Sequence, residues 1–209
     1  MSKTILVLAP HTDDGEFGCG GVISKHVSAG SRVIYAAFSA VEQSVLPHLG
    51  KNILRTEVMQ ATSVLGIAEN DCLVFDFEVR RFPEFRQTIL DKMIELNQKY
   101  RPDMVFLPSV NDTHQDHQTI AQEGFRAFKR TTMLGYEVPW NNLDFRTSCF
   151  CALTESQLAC KIEALSMYKS QAHRPYANME FIKSLAVTRG VQLGSKYAEA
   201  FEVMRWVIS

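Results

Sequence analysis

The sequence has almost no net charge, and it has no long apolar run. Lys and Arg number 22 against 23 Asp and Glu, so the formal net charge is -1. Basic residues are scattered or occur as short pairs such as Arg80-Arg81, whereas nucleic-acid binding needs a concentrated basic patch. No apolar segment approaches the roughly 20 residues that span a bilayer. We therefore expect no nucleic-acid partner and no membrane span.

Cysteine is also scarce, and its pattern excludes two classes of small domain. The five cysteines are odd in number and form no CxxC pair. Most of them lie in apolar runs, which is typical of reduced thiols in a core rather than of a disulfide framework or a zinc knuckle. The N-terminus lacks the apolar region and the small-residue cleavage site of a signal peptide. These absences predict a cytoplasmic location.

The chain has 209 residues, of which 46% are hydrophobic, so it can bury a substantial core. It contains no internal repeat, no low-complexity tract and no Ser/Gly-rich linker. We therefore expect a single domain over residues 1–209.

Apolar runs typical of buried strands alternate with segments of helical spacing. The first run, TILVLA from Thr4 to Ala9, is continuously aliphatic, as in a parallel strand buried on both faces. The alternation predicts a doubly wound α/β fold with a mostly parallel sheet flanked by helices. The predicted strands are 4–9, 32–38, 72–77, 103–108, 133–138 and 148–153, followed by a C-terminal apolar run at 201–208. The predicted helices are 20–30, 54–65, 85–100, 115–129 and 154–171, the last opened by a capping box.

Two polar segments each follow a predicted strand. LAPHTDDGEFGCGG (residues 8–21) leaves the first strand, and NDTHQDH (residues 111–117) leaves the strand DMVFLP. In open α/β sheets the ligand crevice lies beyond the carboxyl ends of the strands, so we expect the two segments to meet at one sheet edge. Together they hold three of the six histidines and several carboxylates. This inventory favours a metal site.

A catalytic zinc ion typically has three protein N or O ligands and one open position. His11, Asp14 and His117 supply such a set, because the spacing of His11 and Asp14 allows a tight turn to bring both to one ion. Fe(II) and Co(II) suit the same donors, so zinc is only the default metal.

The remaining polar residues of the two segments suggest catalytic roles. Asp13, adjacent to a ligand, is placed to take the proton of an activated water. If the second segment is helical, His114 shares a face with His117 and reaches the reacting oxygen, while Asp116 orients one of the histidines. We expect Asp112 to be a helix N-cap.

The sequence leaves some residues open. Glu16 is either a ligand or a carboxylate that favours the helix dipole, and Tyr197 is either half-buried core or part of the site. Gly18, Gly20 and Gly21 do not fit a dinucleotide fingerprint, and we expect them to let a helix pack close to the sheet.

The two segments resemble the signatures of the PIG-L (LmbE-like) N-deacetylase family. PHTDDGEFGCGG is similar to AHPDDxExGxGG, and THQDH is similar to HPDH. Further similarity at Arg55-Thr-Glu57, at residues 161–171 and at Arg189-Gly190 spreads the resemblance over nearly the whole chain. Thr12 and Gln115 stand where the family has proline, and neither change removes a catalytic group.

The resemblance implies a Rossmann-like fold and the metal-dependent removal of an acetyl group from an N-acetylglucosamine-type amide, with a small N-acetylated amino sugar or its conjugate as substrate. It implies His11, Asp14 and His117 as zinc ligands, Asp13 as the general base and His114 as the residue that stabilises the tetrahedral intermediate. It also implies that Arg55 contacts substrate near the metal, where its planar cation suits a phosphate, carboxylate or sugar oxygen.

Two other functions stay open. The same metal site would serve an amide hydrolase for another acyl group or a non-sugar amine. A metal-binding or sugar-binding protein without turnover is the other alternative, and Asp13 argues against it because binding alone needs no base. The family resemblance and apolar residues near the C-terminus favour a homo-oligomer.

Overall fold

The computed structural model describes residues 2–46 and 48–208. Within these ranges the strands are β1 (Thr4–Ala9), β2 (Arg32–Ala37), β3 (Cys72–Val74), β4 (Met104–Pro108), β5 (Thr132–Tyr136), β6 (Cys149–Leu153) and β7 (Tyr197–Arg205). The α-helices are α1 (Asp14–Ser28), α2 (Ile53–Val64), α3 (Arg86–Tyr100), α4 (Gln115–Ala127), α5 (Glu155–Ser166) and α6 (Met179–Leu193). Among the helices that the structure describes, none is both long and apolar enough to cross a membrane.

All seven strands belong to one sheet with the order β3-β2-β1-β4-β5-β7-β6. The first five in this order run parallel, with Leu6 of β1 in register with Ile34 and Val105 of its neighbours. Strand β7 is antiparallel to both β5 and β6. The predicted doubly wound, mostly parallel α/β sheet is therefore confirmed.

Strand β1 shows why the apolar run has no polar alternation. Ile5 and Val7 point to the side covered by α1, α2, α5 and α6, whereas Leu6 and Leu8 point to the side covered by α3 and α4. All four side chains are fully buried. A strand that is covered on both faces has no solvent side, so every position favours an aliphatic residue.

Helix α1 begins at Asp14, six residues earlier than the predicted start at Gly20. Its backbone is not helical at Cys19, where φ is −147°. Glu199 of β7 accepts hydrogen bonds from the N–H groups of Gly21 (3.0 Å) and Val22 (2.7 Å), just after this kink. The helix is thus held just after its kink by a tertiary contact that local sequence does not reveal.

The predicted role of the glycines in α1 agrees with the structure for Gly18 and Gly21, whereas Gly20 faces Lys161 of α5. A Cβ atom at Gly18 would overlap the ring of Tyr136 on β5, and one at Gly21 would overlap Leu153 on β6. Only glycine allows the helix backbone to approach the sheet this closely.

Helix α6 lies in a segment for which we predicted no element. Its buried stripe is narrow and consists of Ile182, Ala186 and Gly190, so it has little apolar periodicity. Its ends are well defined, since the Asn178 side chain accepts hydrogen bonds at the N-cap and Gly194 ends the helix at a φ of +76°. Strand β7 begins four residues before the predicted apolar run and ends before it does.

Candidate metal-dependent active site

The site lies where two neighbouring parallel strands end. Strand β1 leads into the segment from Pro10 to Asp14, and β4 leads into the segment from Ser109 to His117. These strands pair directly, with Ile5 opposite Met104, and β1 has β2 on its other side. The chain order reverses at this point, which is the usual location of a ligand crevice in such sheets. The structure therefore brings the two polar segments together as the sequence predicts.

Three side-chain atoms from these segments form a nearly equilateral triangle. His11 Nδ1 lies 3.1 Å from Asp14 Oδ2, which lies 3.2 Å from His117 Nε2, and the two histidine nitrogens are 3.3 Å apart. Zinc bonds of about 2.0–2.1 Å in tetrahedral geometry separate neighbouring ligand atoms by about 3.3 Å. The spacing of this ligand triad, as we call His11, Asp14 and His117, therefore fits one small divalent cation.

The outer nitrogens of both imidazoles contact carboxylates. His11 Nε2 lies 3.0 Å from Asp116 Oδ2, and His117 Nδ1 lies 2.7 Å from Asp112 Oδ2. An ionised carboxylate only accepts hydrogen bonds, so each outer nitrogen carries a proton, and an imidazole in its neutral form turns its lone pair inwards. When both imidazoles are neutral, two lone pairs and the Asp14 oxygen face one another with no proton between them. This arrangement needs a cation, and the donor set fits a metal ion.

The charges around the triad also favour a bound cation. Burial lowers the pKa of His11, but the Asp14 and Asp116 carboxylates outweigh it and raise that pKa to about 9. For His117, burial is likewise outweighed by Asp14 and Asp112, and its pKa rises to about 10. The two histidines hold the pKa of Asp14 well below its usual range despite its burial. The triad thus attracts positive charge, for which protons and a metal ion compete.

Asp13 lies beside the triad at the N-cap of α1, where its side chain makes no capping hydrogen bond. It lines the cavity in front of the triad. Burial and the negative charge of Asp14 raise the pKa of Asp13 to about 6. Near neutral pH the group is therefore a carboxylate of increased basicity, which suits a general base.

His114 corrects one prediction. It does not share a helix face with His117, because it is the N-cap of α4 and its backbone is extended. Its ring nevertheless lies beside that of His117, with centroids 4.8 Å apart. Burial and the neighbouring His11 and His117 lower the pKa of His114 to about 4. Since its Nδ1 accepts the N–H of Asp116 at 3.2 Å, the neutral ring carries its proton on Nε2 and can donate it to a ligand.

His114 also completes a group of three histidines whose donor atoms all lie within 4.8 Å of one another. The Asp14 oxygen lies closer to His11 and His117, at 3.1 and 3.2 Å. We therefore favour Asp14 over His114 as the third ligand.

Asp112 and Asp116 differ in how well the sequence predicts them. Asp116 contacts His11 as an orienting carboxylate, as we expected of it. The prediction that Asp112 is the N-cap of α4 was wrong, since that position belongs to His114. Asp112 instead accepts hydrogen bonds from His117 Nδ1 and from the N–H of His114 at 2.8 Å. Each ligand histidine thus has its own buried carboxylate.

The structure places Arg55 away from the triad. Its guanidinium pairs with Glu42 and Asp76, and Arg55 does not line the cavity at His11. The proposed contact between Arg55 and a substrate stays a prediction.

The two residues left open by the sequence lie outside the triad. The buried Glu16 carboxylate accepts hydrogen bonds from the hydroxyls of Tyr35 and Tyr168, and burial raises its pKa to about 8. Tyr197 is a buried residue of β7 paired with Leu153.

The cavity in front of the triad has a volume of about 250 Å³. Among the residues of its walls, sequence reasoning missed Trp140, Arg174 and Tyr176. The rings of Trp140 and Tyr176 stack with centroids 4.3 Å apart and planes within 7°. These residues come from loops without a local pattern, so only the folded chain reveals them.

Comparison with known proteins gives relatives and structural neighbours. The chain is 27% identical over 173 residues to the "Uncharacterized deacetylase YaiS" of Escherichia coli K12, which covers 80% of this chain and 91% of the relative. The structure of N,N'-diacetylchitobiose deacetylase from Pyrococcus horikoshii aligns with a TM-score of 0.82 at 21% identity, over 97% of this chain and 84% of that one. GalB, a 4-carboxy-2-hydroxymuconate hydratase from Pseudomonas putida KT2440, aligns with a TM-score of 0.79 at 19% identity, over 99% and 98% of the two chains.

The two structural neighbours share the fold with this chain but carry the names of different reactions, so the fold alone does not identify the chemistry. The family model described as GlcNAc-PI de-N-acetylase (PIG-L) matches residues 6–128, which is more than half of the chain. The matched range contains the whole ligand triad, Asp13 and His114. The chain therefore belongs to the GlcNAc-PI de-N-acetylase (PIG-L) family.

Proposed function

We propose that the protein is a metal-dependent hydrolase that removes the acetyl group from an N-acetylated amino sugar or its conjugate. The observation that carries the proposal is the ligand triad, whose inward-facing atoms lie 3.1–3.3 Å apart beside the basic carboxylate of Asp13. A divalent cation held there supplies Lewis acidity and lowers the pKa of a bound water. Zinc is our default ion, and Fe(II) or Co(II) suits the same donors.

Asp13 is the proposed general base. With a pKa of about 6 it is ionised at neutral pH, and it faces the cavity without a capping hydrogen bond. It accepts a proton from the attacking water and then, once protonated, delivers it to the leaving amine.

His114 is the proposed donor to the oxyanion that develops on the acetyl carbonyl. Its pKa of about 4 keeps the ring neutral, and the backbone N–H at Nδ1 leaves the proton on Nε2. A donor fixed before the reaction stabilises developing charge without reorganising, and loss of one such donor typically lowers the rate by about 10²–10³-fold.

The proposed amide substrate is supported by the family and by the cavity. The matching family is described as a GlcNAc-PI de-N-acetylase family, and the relative from Escherichia coli is named a deacetylase. A cavity of about 250 Å³ with a stacked aromatic wall is small for a ligand site and suits a single sugar ring.

The test is the release of free amine from a panel of N-acetylated amino sugars by protein reconstituted with zinc or with anaerobic Fe(II). We expect metal-dependent release, and we expect Asp13→Asn to lower it by about 10²–10⁴-fold while the metal stoichiometry stays at one. Asp91→Asn, at an exposed carboxylate on α3, is the matched control.

N-formyl and N-propionyl analogues identify an enzyme for another acyl group. Metal-loaded protein that releases no amine from any member of the panel would contradict the proposal. Turnover by Asp13→Asn at the wild-type rate would contradict the assigned base.

A further inference from the structure

Two arginines of the cavity wall have no carboxylate partner among the residues that the structure describes. Arg80 and Arg174 both line the cavity, and the Nε atom of Arg174 is buried without a hydrogen-bond acceptor. In the same structure six other arginines pair with carboxylates: Arg32, Arg55, Arg81, Arg86, Arg126 and Arg189. A buried donor without an acceptor is destabilising, so an acceptor supplied by a ligand in the cavity would stabilise Arg174.

The turn that carries Arg174 is firmly held. The buried Glu57 carboxylate accepts hydrogen bonds from the N–H (2.9 Å) and the hydroxyl (2.5 Å) of Ser170. The Tyr168 hydroxyl oxygen contacts the carbonyl oxygen of Thr12 at 2.7 Å, next to Asp13. The N–H of Arg174 itself donates to the carbonyl of Gln171 at 2.9 Å. A guanidinium presented by an anchored turn loses less freedom when it binds a ligand.

Arg80 is held in a conformation that disfavours a side chain. Its φ is +69°, in the left-handed region where glycine is unstrained. Asp116 fixes it there, because its Oδ2 accepts the N–H of Arg80 at 2.6 Å and also contacts His11 Nε2. An arginine that keeps its side chain at such a position favours a functional role.

Tyr176 lies in the wall of the cavity that Asp13 and Arg174 also line, and the charges of both residues act on its hydroxyl. Burial and Asp13 raise the pKa of the Tyr176 hydroxyl to about 12, whereas Arg174 opposes the rise. The Tyr176 ring, stacked on Trp140, lines the same cavity as Asp13 and Arg174. A ligand that reaches Asp13 along this aromatic wall also reaches Arg174.

We propose that the substrate carries an anionic group, a phosphate or a carboxylate, which Arg174 binds through its planar guanidinium and Arg80 binds from the rim of the cavity. Arginine suits both groups because its parallel N–H donors match two oxygen atoms at once. The proposal rests on the proposed deacetylase function, and it adds that neutral N-acetyl sugars are poor substrates.

The test compares kcat/KM for amine release from anionic and neutral probes. The anionic probes are the 1-phosphate and 6-phosphate of N-acetylglucosamine and the corresponding 6-carboxylate sugar, and the neutral probe is the methyl glycoside. We expect the wild type to prefer an anionic probe, and Arg174→Gln to lower the ratio of anionic to neutral kcat/KM by about 10- to 100-fold. The phosphate and carboxylate arms distinguish the two kinds of anion.

Two further variants separate binding from folding. Arg80→Gly removes the side chain and the backbone strain together, so we expect a lower ratio with an unchanged or higher Tm. Arg130→Gln removes an exposed arginine that does not line the cavity, and we expect it to leave the ratio unchanged.

The outcomes distinguish this inference from the proposed function. A ratio that is the same in the wild type and in Arg174→Gln overturns the inference and leaves deacetylation standing. If no probe releases amine, deacetylation fails, and the inference is decided by titrating Trp140 fluorescence with the 1-phosphate in a Trp206→Phe background. Weaker binding in Arg174→Gln then supports the anion site, and equal binding overturns it.

Discussion

Replacing Asp112 by Asn tests whether the buried carboxylates prepare the ligand triad for a metal ion. Asp112 and His117 are each 1% exposed, and the Oδ2–Nδ1 distance between them is 2.7 Å. An Asn amide that turns its NH₂ group towards Nδ1 opposes the N–H there, so the imidazole proton moves to Nε2. That nitrogen faces Asp14 in the triad, and a protonated nitrogen cannot bind a metal ion.

The loss of an outer carboxylate typically lowers metal affinity by about 10–100-fold. This range corresponds to about 1.4–2.7 kcal/mol. We expect Asp112→Asn to fall in the upper half of it, because the contact is short and the pair is shielded from water. The N–H of His114 also bonds to Asp112, at 2.8 Å, and the Asn carbonyl oxygen can still accept that bond. The local fold should therefore survive.

The assay is competition for Zn²⁺ or Co²⁺ with a chromophoric chelator, with circular dichroism to confirm the fold. His117→Ala gives the reference for a lost ligand. Asp71→Asn is the matched control, because Asp71 pairs with the half-exposed Arg32 rather than with a triad residue. If Asp112→Asn binds the metal within twofold of the wild type while His117→Ala does not bind it, the reasoning about the imidazole proton is wrong.

Two other predictions concern pH and stability. Only the carboxylate form of Asp13 accepts a proton, so kcat/KM at saturating metal should fall tenfold per pH unit below the pKa of Asp13. That pKa is about 6 without a cation and lower with one. A fall in kcat/KM that is centred at pH 7 or above would exclude Asp13 as the base. Lys161→Met leaves the buried Glu199 carboxylate and the Phe17 carbonyl without their 2.7 Å contacts, so urea unfolding should show a loss of about 3–5 kcal/mol. Lys196→Met breaks an exposed pair with Glu155 and should cause no resolvable loss, and equal losses in the two variants would refute the argument from burial.

The strands were predictable because each contains a short apolar run, and burial on both faces makes that pattern continuous in central strands such as β1. Strand β1 has the bounds that the apolar run from Thr4 to Ala9 predicts, and the start and end of β4 and β6 differ from prediction by at most one residue. The start of helix α1 was mislocated because its first turn carries Asp14, Gly15 and Glu16 rather than an apolar pattern, and because its kinked backbone is held by Glu199, far away in sequence. Helix α6 was not predicted, because its buried stripe is narrow and ends in a glycine.

The candidate site likewise has one part that the sequence predicts and one part that it does not. The ligand triad and Asp13 lie in two short segments at strand ends, where a parallel sheet brings them together whatever the loops do. No comparable rule of sheet geometry predicts which residues form the wall of the cavity. Trp140 and Arg174 reach it only because several loops pack against one another. Arg55 shows the converse, since a motif residue can face carboxylates on the surface rather than the cavity.

Strand β7 has a consequence for how the protein is made. It follows the other six strands in sequence, yet it lies inside the sheet between β5 and β6, and it carries the Glu199 carboxylate that holds the kink of α1. During synthesis every proposed metal ligand leaves the ribosome long before this strand does. Until β7 inserts, α1 lacks its hydrogen bonds to Glu199, and the place between β5 and β6 is unfilled. A nascent chain can therefore expose the triad residues before the cavity has formed. Catalytic competence should therefore appear abruptly, only after β7 closes the sheet.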